Sequence, residues 1–195
     1  MAGTLVLGLS ACATTPPKNI SNLCSIFREK DDWYDYAKES SDRWGVPIAN
    51  MMSVMHQESS FVADAKPPRT KILWVLPGPR KSSAYGYAQV KDETWYDYVK
   101  ATGNSFADRD DFEDAVDFVG WYLNNGARCC GIAKNDVYRG YLAYHEGFGG
   151  YKRATYRNKK WLLGVANKVK SRAATYQQQL NSCQKELEDD GWWFF

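Results

Sequence analysis

Glu58 stands at the end of an apolar helical run. In Met51-Met52-Ser53-Val54-Met55-His56-Gln57-Glu58-Ser59-Ser60-Phe61 the methionines recur with Ile48 at helical spacing, and Pro47 suits a first helical position. Glu58 follows Met55 by three residues, so it projects near the same face. A carboxyl placed there is partly withdrawn from water, which disfavours its charged form. A glutamic acid that keeps its proton near neutrality is equipped to be a general acid. The plain alternative is a solvated carboxylate at a helix end. What the rest of the chain brings to this residue decides between the two.

Other chemistries fit less well. His56-x-Glu58 and the adjacent Cys129-Cys130 lack the Pro-Cys-x-x-Cys that a zinc deaminase needs, and no His-Glu-x-x-His is present. His56 therefore reads as a packed or hydrogen-bonded residue, and no metal or cofactor is expected. A net charge of +2, with Lys and Arg spread along the chain, gives no footprint for nucleic acid. The chain is rich in rings, with 8 Trp and 13 Tyr, and such flat, partly polar surfaces suit carbohydrate as well as a core.

A chain of 195 residues implies one domain, and helical patterns dominate it. A helix capped by Asp31 or Asp32 runs through Trp44 and stops at Gly45, and the Pro47–Glu58 helix follows. Lys66-Pro67-Pro68 and Pro77-Gly78-Pro79 then bracket Thr70–Leu76, which reads as a strand or small β excursion between turns. Further helices are expected over Asp92–Ala101, over Asp110–Asn125 ending at Gly126, and over Asn135–Glu146 ending at Gly147. A long helix spans about Lys160 to Leu187, with Leu162, Val165, Val169, Ala173, Tyr176, Leu180 and Cys183 on one core-facing stripe.

The ends carry separate signals. Thr4–Leu9 is a short apolar run, and Leu9-Ser10-Ala11-Cys12 resembles a bacterial lipobox, although a basic segment before it is missing. That resemblance implies a signal segment over 1–11, cleavage before Cys12 and lipid on its sulfur. Residues 12–22 then form a linker, 23–187 the domain and 188–195 an aromatic tail. With Ala13 rather than aspartate after the cysteine, the expected location is the periplasmic face of the outer membrane. Removing Cys12 leaves Cys24, Cys129, Cys130 and Cys183, an even number that fits an oxidising compartment. Three pairings are open. Joining Cys24 to Cys183 would clip the ends of the domain together, and joining the adjacent pair would close a strained eight-membered ring.

Three short stretches now fall in order: Glu58-Ser59-Ser60-Phe61, Gly86-Tyr87-Ala88-Gln89 and Ala143-Tyr144-His145-Glu146-Gly147. Together they resemble the lytic transglycosylases of the soluble-lytic-transglycosylase type, which carry Glu-Ser-x-Phe, Gly-Leu-Met-Gln and Ala-Tyr-Asn-Ala-Gly motifs. The match covers roughly residues 31–170. Tyr87 and Ala88 depart from the family's Leu and Met, His145 and Glu146 from its Asn and Ala, and the stretch between the first two motifs is longer than usual.

The resemblance implies an α+β, mainly α, lysozyme-like fold with a small β region after the glutamate helix. It implies peptidoglycan as substrate, with the MurNAc–GlcNAc bond cut and a 1,6-anhydro ring formed. Glu58 would serve as acid and then base, and Tyr144 would aim its hydroxyl at Glu58 or at the substrate's acetamido group. Ser59, Tyr87, Gln89, His145 and Glu146 are the further candidate substrate contacts, and Tyr85 joins Tyr87 as a possible groove-lining ring. Glu146 is expected to sit at a helix C-terminus in solvent; the other options are a second catalytic carboxylate and a like charge that raises the Glu58 pKa. A hydrolytic muramidase on the same fold and a non-catalytic wall-binding lipoprotein are the alternatives. The protein is expected to act as a monomer whose partners are glycan strands and, through Cys12, membrane lipid.

Overall fold

A computed structural model describes residues 15–72 and 76–190. The lipobox-like stretch around Cys12 and residues 191–195 of the aromatic tail lie outside these residues, while 188–190 continue α7. Among the described residues seven helices and one two-stranded ribbon follow one another: α1 (Leu23–Glu29), α2 (Trp33–Trp44), α3 (Ile48–Ser59), β1 (Arg69–Ile72), β2 (Leu76–Arg80), α4 (Asp92–Thr102), α5 (Phe112–Cys130), α6 (Val137–Lys152) and α7 (Lys160–Asp190). The fold is thus mainly helical with a small β region, as a lysozyme-like domain requires. Among the described residues no helix is long and apolar enough to cross a membrane.

The central element is α3. Every residue from Ile48 to His56 is buried, so this helix is enclosed on all sides rather than amphipathic. It packs against α7, α5 and α2. Met51, Met52, Val54 and Met55 are wholly removed from water, each contributing about 1.5–3 kcal/mol. Its buried polar groups are all engaged. Ser53 Oγ donates to the Asn50 carbonyl at 2.8 Å and Asn50 Nδ2 to the Lys134 carbonyl at 3.4 Å. The Tyr176 hydroxyl gives its only proton to the Ile20 carbonyl, so His56 Nδ1, 2.6 Å away, must be the protonated nitrogen that donates to it. Burial, assisted by the positive charge of Arg172, pushes the His56 pKa down to about 4 and keeps the ring neutral.

Several elements differ from expectation for identifiable reasons. The strand or small β excursion expected over 70–76 is a β-hairpin reaching from 69 to 80, with Arg69 opposite Arg80 and Ile72 opposite Leu76. Pro77 and Pro79 lie inside β2 rather than in a turn. A two-stranded ribbon has free edges, where a residue without an N–H leaves no ladder bond unmade. α5 does not stop at Gly126 but continues to Cys130 and ends on Gly131, which takes the left-handed conformation at φ 65°. α1 is an additional short helix, capped by the Asn22 side chain accepting from the Ser25 N–H at 2.9 Å.

Cys24 and Cys183 are bonded, joining α1 to α7, and the adjacent Cys129 and Cys130 are also bonded to each other.

Candidate active site

Three chain segments converge on one cleft of about 490 Å³, a size suited to a small-molecule or oligosaccharide ligand. The C-terminal end of α3 delivers Glu58. The turn at 85–90 delivers Gln89, and the second half of α6 delivers Tyr144, His145, Glu146 and Gly147. Phe118 and Tyr122 of α5 form the apolar wall. Tyr122 meets Tyr144 edge-on at 5.0 Å and stacks on Phe148 at 4.4 Å, so the wall is a continuous ring surface.

The chain after Glu58 turns under strain. Ser60 caps α3 with its N–H on the His56 carbonyl at 3.0 Å, and both Ser60 (φ 53°) and Phe61 (φ 62°) take left-handed backbone conformations. Such geometry costs non-glycine residues about 1–3 kcal/mol each. Phe61 holds it in place. The ring is 0% exposed and packs on Trp33 at 5.8 Å and His56 at 5.7 Å. The spacing of glutamate and phenylalanine in this motif is therefore mechanical: the buried ring anchors the sharp exit that leaves Glu58 at the cleft.

The second motif is a tight turn that only glycine permits at its first position. Gly86 has φ 78°, and a β-carbon there would lie 1.9 Å from the Arg109 carbonyl oxygen. Its side chains face opposite ways. Tyr87, 1% exposed, packs edge-on against Trp33 and Phe112, which are stacked on each other at 3.7 Å. Tyr87 is thus a core residue bracing α2 against α5, not a groove contact. Tyr85 is also directed elsewhere, donating to Asp110 at 2.5 Å. Gln89 does face the cleft. It donates through Nε2 to the carbonyls of Ala65 at 2.8 Å and Gly86 at 3.0 Å, which leaves its amide oxygen for a ligand.

On α6, two tyrosines bear on the glutamate. Tyr144 lines the cleft with its ring but donates its hydroxyl to the Ala88 carbonyl at 2.6 Å, tying α6 to the 85–90 turn. The hydroxyl of Tyr141, buried one helical turn earlier, also acts on Glu58, favouring its ionised form against the effect of burial. Spacing of three on a helix puts Tyr141 and Tyr144 on one face, which is the signal that would have pointed to it. Ser59 lies outside the cleft lining and donates back to the Met55 carbonyl at 3.3 Å, closing its own helix.

Glu146 is not in solvent. Gly147 (φ 70°, ψ 159°) breaks α6 immediately after it and turns the carboxylate inward, leaving the side chain 3% exposed. Lys159 Nζ reaches its two oxygens at 2.7 and 2.9 Å, Thr155 Oγ1 donates to Oε2, and His145 Nδ1 lies 3.0 Å from Oε1.

The two carboxylates of the cleft are driven apart. Burial pushes Glu58 up to about 7, opposed by the Tyr141 hydroxyl, while the hydrogen bonds from Lys159 and then Thr155 pull Glu146 down to about 2. Near neutrality one is available as an acid and the other is a fixed, neutralised anion. Pairs separated in this way mark where acid–base roles are assigned.

A mainly helical domain that presents one partly desolvated glutamate at the floor of a ring-walled cleft, beside a short β-hairpin, is a lysozyme-like glycan-cleaving domain. The chain belongs to the family described as the Transglycosylase SLT domain, whose model matches residues 1–183. Peptidoglycan lytic transglycosylation is the general activity that this membership carries. Comparison with curated proteins gives no match.

Proposed function

We propose that this protein cleaves the MurNAc–GlcNAc bond of peptidoglycan without water and leaves a 1,6-anhydroMurNAc end. Glu58 gives its proton to the glycosidic oxygen as the bond to C1 breaks. The acetamido oxygen of the muramyl residue attacks C1 and holds the positive charge. Glu58, now a carboxylate, takes the proton of the C6 hydroxyl, whose oxygen closes on C1 as the acetamido group leaves. Glu58 ends protonated, so one residue serves both steps and no water is consumed. The amide oxygen of Gln89 is placed to accept from a substrate amide N–H, and the Tyr122–Tyr144 wall to cover the apolar face of a sugar ring.

The observation that carries this reading is the opposite fate of the two glutamates. Hydrolysis with a second catalytic carboxylate needs an oxygen free to activate water or to face the cation. Both oxygens of Glu146 are taken by Lys159, Thr155 and His145. That arrangement supports a single acid that returns as base.

Digestion of purified sacculi followed by mass spectrometry of the muropeptides tests it. Muramyl ends lighter by one water than reducing ends are expected. Reducing muramic ends would establish hydrolysis, and undigested sacculi with protein bound would establish a binding module.

The Tyr141 hydroxyl stabilises the ionised form of Glu58. In Tyr141→Phe the Glu58 pKa should therefore rise further, and the alkaline limb of kcat/KM should move to higher pH by about one unit. An unmoved limb would show that Tyr141 does not act on the acid.

The Leu9-Ser10-Ala11-Cys12 pattern supports a further proposal, that the domain is tethered through lipid on Cys12 to the periplasmic face of the outer membrane. Metabolic labelling with a fatty acid, lost in Cys12→Ala, checks it.

A further inference from the structure

We propose that Trp161 and His145 form an additional saccharide subsite, which prolongs the cleft past Glu146 and is held in place by it. The inference rests on the glycan-cleaving reading above and extends it to a second point of contact on the same strand. His145 lines the cleft. Its ring meets that of Trp161 at 5.1 Å and 77°, so the indole continues the cleft wall directly. Trp161 lies in the first turn of α7 and is 59% exposed. A large flat apolar face left in water next to a glycan cleft is suited to the C–H face of a sugar ring, while imidazole and ammonium groups meet its hydroxyls. Both polar groups are present. His145 is at the cleft edge, and Lys159, 40% exposed, lies two residues before Trp161.

The buried Glu146 explains why this surface is fixed rather than loose. The segment from Arg153 to Lys159 is not part of a regular helix. Thr155 and Lys159 both bond the Glu146 carboxylate from that segment, and His145 shares one of its oxygens. One carboxylate thus clamps the loop that leads into Trp161 and orients the imidazole beside it. A recognition surface pinned in this way loses little freedom on binding. An ammonium and a hydroxyl from one loop, gathered with an imidazole on one buried carboxylate, make a firm anchor for a loop that only connects two helices. They are appropriate for one that must hold a ring at a set distance from Glu58.

The test uses the full chain carrying Glu58→Gln, so that ligands survive, and N-acetylglucosamine oligomers of two to seven units as probes in calorimetry. Affinity should rise with length and step upward at the length that first reaches Trp161. Adding Trp161→Ala should remove that step, lowering affinity for the long oligomers about tenfold and leaving the short ones unchanged. Trp161→Phe should restore part of the step. Thermal unfolding of all three proteins should coincide, since the indole is exposed. A length dependence unaltered by Trp161→Ala, or an equal loss at every length, would overturn the subsite and leave the glycan reading intact. No binding at any length, together with sacculi left uncut by the wild-type protein, would overturn the glycan reading and the subsite with it.

Discussion

Glu58→Gln should lose glycan cleavage by at least about 10³-fold while keeping the fold and the ability to bind glycan strands. General acid–base catalysis by one positioned group contributes typically 10²–10⁴-fold, and here the same residue is used twice in one turnover. Glutamine keeps the shape and can still accept from Tyr141, but it has no proton to give to the glycosidic oxygen and no basicity to take one from the C6 hydroxyl. Release of soluble muropeptides from sacculi is the measurement, and an active Glu58→Gln protein would refute the assignment. Glu146→Gln should behave differently and retain measurable cleavage, because its carboxylate is bound to the protein and not offered to the substrate.

The same substitution has a second signature, in stability. Glu58 ionises near 4.5 when unfolded and at about 7 when folded. Below the unfolded value both states are protonated, and burial of the neutral carboxyl carries no ionic penalty. Between the two values the unfolded state loses its proton first, so the native state is progressively destabilised as pH rises. Above the folded value the full penalty is present. Glu58→Gln removes this penalty. It should match wild type near pH 4 and be more stable by on the order of 1–3 kcal/mol at pH 8 and above. Denaturant unfolding at the two pH values reads the difference. A catalytic group that weakens its own fold at alkaline pH is the expected trade between activity and stability.

Glu58 and its helix were legible because two independent signals agreed there: an apolar run at helical spacing and a glutamate three residues beyond its last methionine. The hairpin was harder. Its strands are separated by only a few residues and carry prolines, and prolines in a short run read as turn unless the strand is known to be an edge. Side-chain direction was the other barrier. Tyr87 and Gln89 are two apart in one turn, and nothing in their types says that one enters the core and the other the cleft. That depends on Gly86 being pressed against the Arg109 backbone, a contact with a partner 23 positions further along the chain. Tyr144 and Tyr141 show the same limit on a helix. Both face the glutamate, and only the position of Ala88 decides which hydroxyl is diverted. At Glu146 a glycine after a helix reads as an exposed end, whereas here the break folds the chain back over the carboxylate, with Lys159 arriving 13 residues later.

Breaking the Cys24–Cys183 bond should lower stability more than any exposed substitution in the molecule. The bond closes a loop of 159 residues. Restricting so long a loop in the unfolded chain is worth about 3–5 kcal/mol, and measured values often fall toward the lower end. The element it secures has little else. α1 is 7 residues long, too short to persist without tertiary support. It docks on α7 with Leu23, Ile26 and Phe27 buried and the Leu23 N–H on Gln179 Oε1 at 2.8 Å. The Arg28–Glu186 ion pair at its end is about half exposed, so solvent screens it and it adds little. Ile20, just before α1, accepts from Tyr176, which in turn accepts from His56 on α3, so release of α1 also loosens the helix that carries Glu58. Cys24→Ala with Cys183→Ala should therefore lower Tm by about 10 °C or more. Both sites are buried, so alanine avoids leaving a polar hydroxyl there. Reductant lowers the wild-type Tm toward that of the double variant but also opens Cys129–Cys130, so the double variant isolates the long loop. A double variant within 2 °C of wild type would show that α1 is held by packing alone.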